Sequence, residues 1–146
     1  MTSGPRPNVV LRSSGVEIST GVAAVPAEQH PRSAGGRAVV CWSSQPVVVD
    51  PDKAGFAENV EALIALTTSG SVSWNRYLDA HRTRRAFFKS RGATATDHGH
   101  PTARTANLPE AEARALFDKV MTGRASGAEA DLFRGQMLTE MARMSR

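Results

Sequence analysis

Asp97-His98-Gly99-His100-Pro101 sets a carboxylate and two imidazoles within four residues, directly after the short run Ala93-Thr94-Ala95-Thr96. A carboxylate beside an imidazole can hold and pass a proton. His98 and His100 form His-x-His, and on extended backbone residues two apart share a face, so both rings could reach one cation. Asp97 would point the other way on an ideal strand, although a turn could bring it round. Gly99 allows positive φ or the close approach of a ligand. The plainer reading is an Asp/Gly/Pro turn with incidental histidines, and the string alone leaves both open. Arg104, in the loop beyond, suits a carboxylate clamp because the guanidinium fork matches two oxygens. A loop arginine without a partner is equally ordinary.

These side chains need a scaffold, and the sequence outlines one. Val47-Val48-Val49 is a short β-branched run, and Asp50-Pro51-Asp52 offers a helix start with an N-cap carboxylate and Pro at the first helical position. Phe56, Val60, Leu63, Ile64 and Thr67 then recur at spacings of three and four, which predicts an amphipathic helix broken by Ser69-Gly70-Ser71. Ser73 can cap a second helix carrying Trp74, Tyr77, Leu78, His81, Arg85 and Phe88 on one face, with Gly92 as its C′ residue. Ala93 to Thr96 reads as a strand, and the Asp-His turn sits at its carboxyl end, where α/β proteins collect ligands and catalytic groups. Pro109-Glu110 opens a third helix with Ala113, Leu116, Phe117, Val120 and Met121 inward and Gly123 as its stop. Ser126 caps a fourth, whose core face is Phe133, Met137, Leu138, Met141 and Met144. Helix, short strand and helix in alternation is the rhythm of a parallel sheet with helical crossovers. Parallel strands are buried and need neighbours on both sides, so the predicted class is α/β, mostly helical, with one or two short parallel strands.

The 146 residues suffice for one domain with a sizeable core but not for a complete eight-fold α/β barrel, which takes roughly 250. Residues 1–45 form an atypical segment in which Gly, Ser and Pro recur, and low order is expected over much of 1–36. Its apolar clusters are short: Val9-Val10-Leu11, Val22-Ala23-Ala24-Val25 and Val39-Val40-Cys41-Trp42, the last a candidate buried strand. A net charge of +4 permits a nucleic-acid partner without indicating one, since arginine is spread along the chain. The lone Cys41 excludes an internal disulfide and a Cys-based zinc site. No segment approaches the roughly 20 apolar residues of a membrane span, and no apolar h-region marks a secretory signal, so a cytoplasmic location is expected.

Other candidates weigh less. His81 reads as a core-edge histidine with a satisfied hydrogen bond. Arg82, Arg84, Arg85, Lys89 and Arg91, interleaved with Phe87 and Phe88, could bind nucleic acid or a protein, but a solvated helix face explains them as well. No Gly-rich phosphate loop follows a strand and no nucleophile elbow is present, so nucleotide binding and nucleophilic catalysis find no support.

As a string, Val48 to Met144 resembles the middle of a bacterial uronate (glucuronate) isomerase. The resemblance is carried by Val48-Val49-Asp50-Pro51-Asp52, by Tyr77-Leu78-Asp79-Ala80-His81-Arg82 and by Arg85-Ala86-Phe87-Phe88-Lys89. It is strongest over Gly92 to Pro101 and continues through Ala130-Asp131-Leu132-Phe133 and Gln136 to Met144. That family is a branch of the amidohydrolase superfamily with a metal-binding α/β barrel. The resemblance therefore implies a barrel segment over residues 46–146 and interconversion of glucuronate with fructuronate, or galacturonate with tagaturonate, by proton transfer between C2 and C1. It implies catalytic roles for Asp97 and His98, a substrate contact for His100 and a hexuronate as partner, with no membrane and no nucleic acid; Arg104, the carboxylate clamp read above, is the second expected substrate contact. It also implies a divalent metal, zinc in most members, in the intact enzyme. The family's metal-binding His-x-His and late Asp have no match here, so no metal ligand is assigned, metal binding by this chain is not expected, and the chain alone is expected to be inactive. The rival reading is a small helical module that binds nucleic acid or protein through the Arg-rich helix.

Overall fold

The structure is a computed structural model. It describes the backbone of residues 9–13, 16–20, 39–44, 46–67, 69–90, 93–98 and 100–145, and the side chains of 47–67, 69–90 and 100–145. Four strands, β1 (Val9–Ser13), β2 (Val16–Thr20), β3 (Val39–Ser44) and β4 (Ala93–His98), form one sheet in the order β1-β2-β3-β4. β1 and β2 pair antiparallel, whereas β2 with β3 and β3 with β4 pair parallel. Between β3 and β4 run α1 (Pro46–Val49), α2 (Phe56–Thr67) and α3 (Trp74–Ser90), and after β4 come α4 (Glu110–Met121) and α5 (Gly127–Arg143). The α/β class is as expected. Among the described residues there are four strands where one or two were expected, and one of their three ladders is antiparallel. β1 and β2 fall inside residues 1–45; the rest of 1–38 lies outside the described residues, as does Gly92.

The second correction concerns Val47 to Asp52. The β-branched run is not a strand but the short helix α1, with Val48 and Val49 buried against α2 and α3. A tertiary contact overrides propensity here, because the buried Tyr77 hydroxyl donates to Val48 O at 2.5 Å and fixes the turn. Nor does Pro51 open α2. Asp50 Oδ1 accepts from Asp52 N at 3.1 Å and Asp50 O accepts from Lys53 N at 3.1 Å, closing a turn. Gly55, at φ 74, separates that turn from the helix proper. Asp50 and Asp52 instead receive Arg134 of α5 at 2.6 and 2.8 Å, which ties the turn to the last helix.

The other helices follow their sequence signals. Ser73 Oγ accepts from Arg76 N at the start of α3, at 3.4 Å. α4 ends in a Schellman motif, with Gly123 N donating to Val120 O and Arg124 N to Lys119 O. Gly123 sits at φ 66, where a side chain would be strained. α5 opens on a complete capping box between Ser126 and Glu129. The helices bury one aromatic cluster in which Tyr77 stacks on Phe117 at 5.1 Å, Trp74 lies 5.8 Å from Phe117, and Phe56 meets Phe133 edge-on at 5.9 Å. All five rings are at most 4% exposed, so α2, α3, α4 and α5 share one core.

Candidate functional site

β4 is where the candidate chemistry sits, and its backbone runs as expected. Ala93–Thr96 is extended, and the strand continues through Asp97 and His98 to its carboxyl end. Asp97 pairs with Ser43 and His98 with Ser44, so both stand at the end of a parallel ladder with β3. A register irregularity at Val40/Cys41 sets this end of the ladder one residue out of step with its beginning. A parallel pair that ends together exposes the loops of both strands on one side. The side chains of Asp97 and His98 lie outside the described residues. His100, two residues past the strand, is half-buried.

The loop that follows is held down by α5, and this support was not read from the sequence. Gly135 eases it: a Cβ there would stand 3.2 Å from Ala106 N and 3.3 Å from Arg104 O, tight enough to push backbone 104–106 a few tenths of an ångström off the helix. One residue on, Gln136 is 1% exposed and bonded at both ends; its Oε1 accepts from Leu108 N at 2.8 Å and its Nε2 donates to Glu140 Oε1 at 2.8 Å. Arg143 completes the network, donating to Glu140 Oε1 at 2.6 Å and to Asn107 Oδ1. The readable signal was a glycine, a glutamine and a glutamate on an otherwise apolar helix face. Arg104 itself is exposed, with its charge near Asp131 of α5.

A cavity of about 460 Å³ opens beside the same loop, bounded by Trp74, Leu78, Leu108, Ala113 and Gln136. Its cations are committed to neighbours: Arg82 bonds Asp79 at 2.7 Å, and Arg143 bonds Glu140. It therefore presents no free guanidinium to a carboxylate. Among the described residues no three His, Cys, Asp or Glu side chains converge where they could hold a metal ion. A zinc site takes three or four such ligands, so the described part of this chain does not fit the cation that the resemblance implies.

His81 corrects an expectation. It is in the core as predicted, edge-on to Tyr77 at 4.7 Å, but neither ring nitrogen has a hydrogen-bond partner among the described residues. Burial, aided by the Arg85 charge, pushes its pKa from 6.5 down to about 3. Below pH 6.5 the unfolded chain takes up a proton that the folded chain refuses. Stability is therefore complete above pH 6.5 and falls progressively as pH drops from 6.5 toward 3, by several kcal/mol at the low end. Urea unfolding between pH 7 and 4 should show this slope, and His81→Leu should flatten it. An equal slope in the variant would assign the acid sensitivity elsewhere.

The Arg-rich stretch of α3 is not one wet stripe. Arg84 is buried, its guanidinium over the rings of Phe87 and Phe88 at 5.5 and 5.1 Å, and Arg85 is half-buried and donates to Ser145 Oγ at 2.5 Å. Arg82 is paired with Asp79. Arg85 thus ties α3 to the end of the last helix while Arg82 and Arg84 engage side chains of α3 itself, and nothing here favours the nucleic-acid reading. No helix among the described residues is long and apolar enough to cross a membrane.

Residues 45–146 match the family model described as glucuronate isomerase. The chain belongs to the glucuronate isomerase family. The uronate isomerase of Rhizobium meliloti (strain 1021) is 59% identical over 110 residues, which are 75% of this chain and 23% of that protein. The uronate isomerase of Mesorhizobium japonicum is 55% identical over 111 residues, 76% of this chain and 24% of its own length. The crystal structure of glucuronate isomerase from Caulobacter crescentus superposes with a TM-score of 0.69 at 42% identity, over 76% of this chain and 23% of that one. Uronate isomerase from Thermotoga maritima gives a TM-score of 0.67 at 22% identity, a likeness of fold. The chain thus spans about a quarter of the length of the uronate isomerases it matches.

Proposed function

We propose that residues 46–146 are the part of a uronate isomerase that supplies an acid–imidazole strand end to the reaction between an aldohexuronate and its ketohexuronate, with residues 1–45 a separate N-terminal segment. The observation that carries this reading is β4. A chain of this family places Asp97 and His98 together at the carboxyl end of a parallel strand, followed by a loop docked on α5. In the finer reading, β3 and β4 are neighbouring strands of a partial α/β barrel, and both residues face its central cavity. The transfer between C2 and C1 needs one group to take a proton and return it. Asp97 is suited to that role, with His98 holding its charge, while His100 and Arg104 meet the sugar's hydroxyls and carboxylate. A divalent cation, zinc by resemblance, would steady the sugar oxygens in the intact enzyme, with ligands from outside this segment. The setting is cytoplasmic uronate catabolism.

The test is a chimera in which residues 45–146 replace the matching quarter of the Caulobacter crescentus enzyme. It should convert glucuronate to fructuronate within about tenfold of the parent. The 146-residue chain alone, with zinc added, should show no turnover. A folded but inert chimera, or full turnover by the chain alone, contradicts the reading.

A further inference from the structure

We infer that Gln136 is a positioning residue for substrate: through the loop at residues 104–108 it sets where Arg104 stands, and so governs affinity for the hexuronate while leaving proton transfer to β4. The inference rests on the isomerase reading for the reaction, but its geometry stands apart from that reading. The Gln136 amide, 1% exposed on α5, accepts from Leu108 N at 2.8 Å and donates to Glu140 Oε1 at 2.8 Å. Glu140 Oε1 also accepts from Arg143 Nη1 at 2.6 Å, and Arg143 Nη2 donates to Asn107 Oδ1. The path from Leu108 through Gln136, Glu140 and Arg143 to Asn107 thus leaves the loop at one residue and returns at the one before it. Gln136, Glu140 and Arg143 follow at spacings of four and three, on one face of α5. Anchorage at two adjacent loop residues fixes orientation as well as place, which one contact cannot do. Arg104 lies three residues upstream of Asn107, where the backbone passes close to Gly135.

Phe133, Met137 and Met141 of α5 are fully buried, and an apolar side chain between them would serve the packing of that face. A buried amide costs solvation unless its polar atoms are bonded, and what it adds here is direction. Glutamine can accept from a backbone N–H and donate to a carboxylate at the same moment, whereas leucine can do neither. A loop without this hold must be ordered when the sugar arrives, and that cost falls on binding. Asp97 and His98 stand on the ladder with β3, so their placement does not pass through the loop. Loss of the amide should therefore appear in KM and spare kcat.

The experiment places Gln136→Leu in the full 146-residue chain and in the chimera with the Caulobacter crescentus enzyme. In the full chain the Leu108 amide should exchange about tenfold faster or more, with amides inside α4 unchanged. In the chimera KM for glucuronate should rise about tenfold, with kcat within about threefold of the parent. Gln136→Glu supplies the rescue. Protonated, its carboxyl can accept from Leu108 N and donate to Glu140; ionised, it sets a second charge against Glu140, whose partner Arg143 is already engaged. Burial and the Glu140 charge both favour the protonated form. Its KM relative to the parent chimera should stay within about twofold at pH 6 and climb toward the leucine value by pH 9. A merely structural loss would lower the yield of folded enzyme and leave KM and its pH profile unmoved. Asn107→Ala cuts the exposed end of the circuit, should raise KM in the same direction, and decides the matter if the leucine variant does not fold. Unchanged KM, a loss confined to kcat, or a glutamate variant whose relative KM ignores pH overturns the inference. A chimera inert before any substitution sinks the isomerase reading and this role with it, whereas an active chimera indifferent to Gln136 sinks this role alone.

Discussion

Asp97→Asn, introduced into the chimera that carries residues 45–146, is expected to lower kcat for glucuronate by about 10²- to 10⁴-fold with no loss of folded protein. Asparagine keeps the shape of the side chain and its place at the end of β4, but it cannot accept a proton. The expected loss corresponds to about 3–5 kcal/mol of barrier, the range of a positioned general acid or base. His98→Asn should fall in the same direction by less, since its role is to hold the neighbouring charge. Asp79→Asn is the control: that carboxylate is exposed on α3, pairs with Arg82, and should leave kcat unchanged. Steady-state kinetics with circular dichroism on each variant checks all three. Unaltered kcat in the Asp97 variant would remove the acid–base role.

Phe133→Ala should destabilise the helical core by about 3–5 kcal/mol, a large share of the 5–15 kcal/mol that holds a domain together. Phe133 is fully buried, and its ring meets Phe56 at 5.9 Å, Tyr77 at 6.2 Å and Trp74 and Phe117 at 6.4 Å, so truncation opens a cavity where α2, α3, α4 and α5 meet. The Tm should drop by about 15 °C or more. Leu132, its neighbour, is 40% exposed, and Leu132→Ala should change stability by no more than about 0.5 kcal/mol. Thermal unfolding of the pair separates burial from sequence position. A loss below about 1 kcal/mol at Phe133 would mean that the four helices do not share one core.

The contrast between those neighbours marks what was legible in the chain. Period-3.6 stripes placed the buried faces of α2, α3, α4 and α5 because burial alone sets that pattern, and Ser73, Ser126 and Gly123 marked ends because capping is local chemistry. The strand before Asp97 was legible for the same reason. Val47 to Val49 misled, since β-branching is a weak preference and the hydrogen bond that fixes the turn comes from Tyr77, 29 residues away. Asp50-Pro51-Asp52 has the letters of a helix start, but its carboxylates are taken by Arg134, more than 80 residues on. Sheet order could not be read, because β3 and β4 meet only after three helices intervene and register depends on that packing. At the site, residue types announced Asp97, His98 and His100. Gly135, Gln136 and Glu140, which dock the following loop, stayed hidden because each is meaningful only once backbone 104–108 lies against α5.

The central claim is that β4 delivers an acid and an imidazole to a hexuronate. A crystal structure of the chimera with glucuronate bound tests it most directly. The account predicts the Asp97 carboxylate within about 3.2 Å of the sugar or of a water bound to it, with the His98 ring beside it. Both side chains in bulk solvent, away from an occupied sugar site, would contradict it.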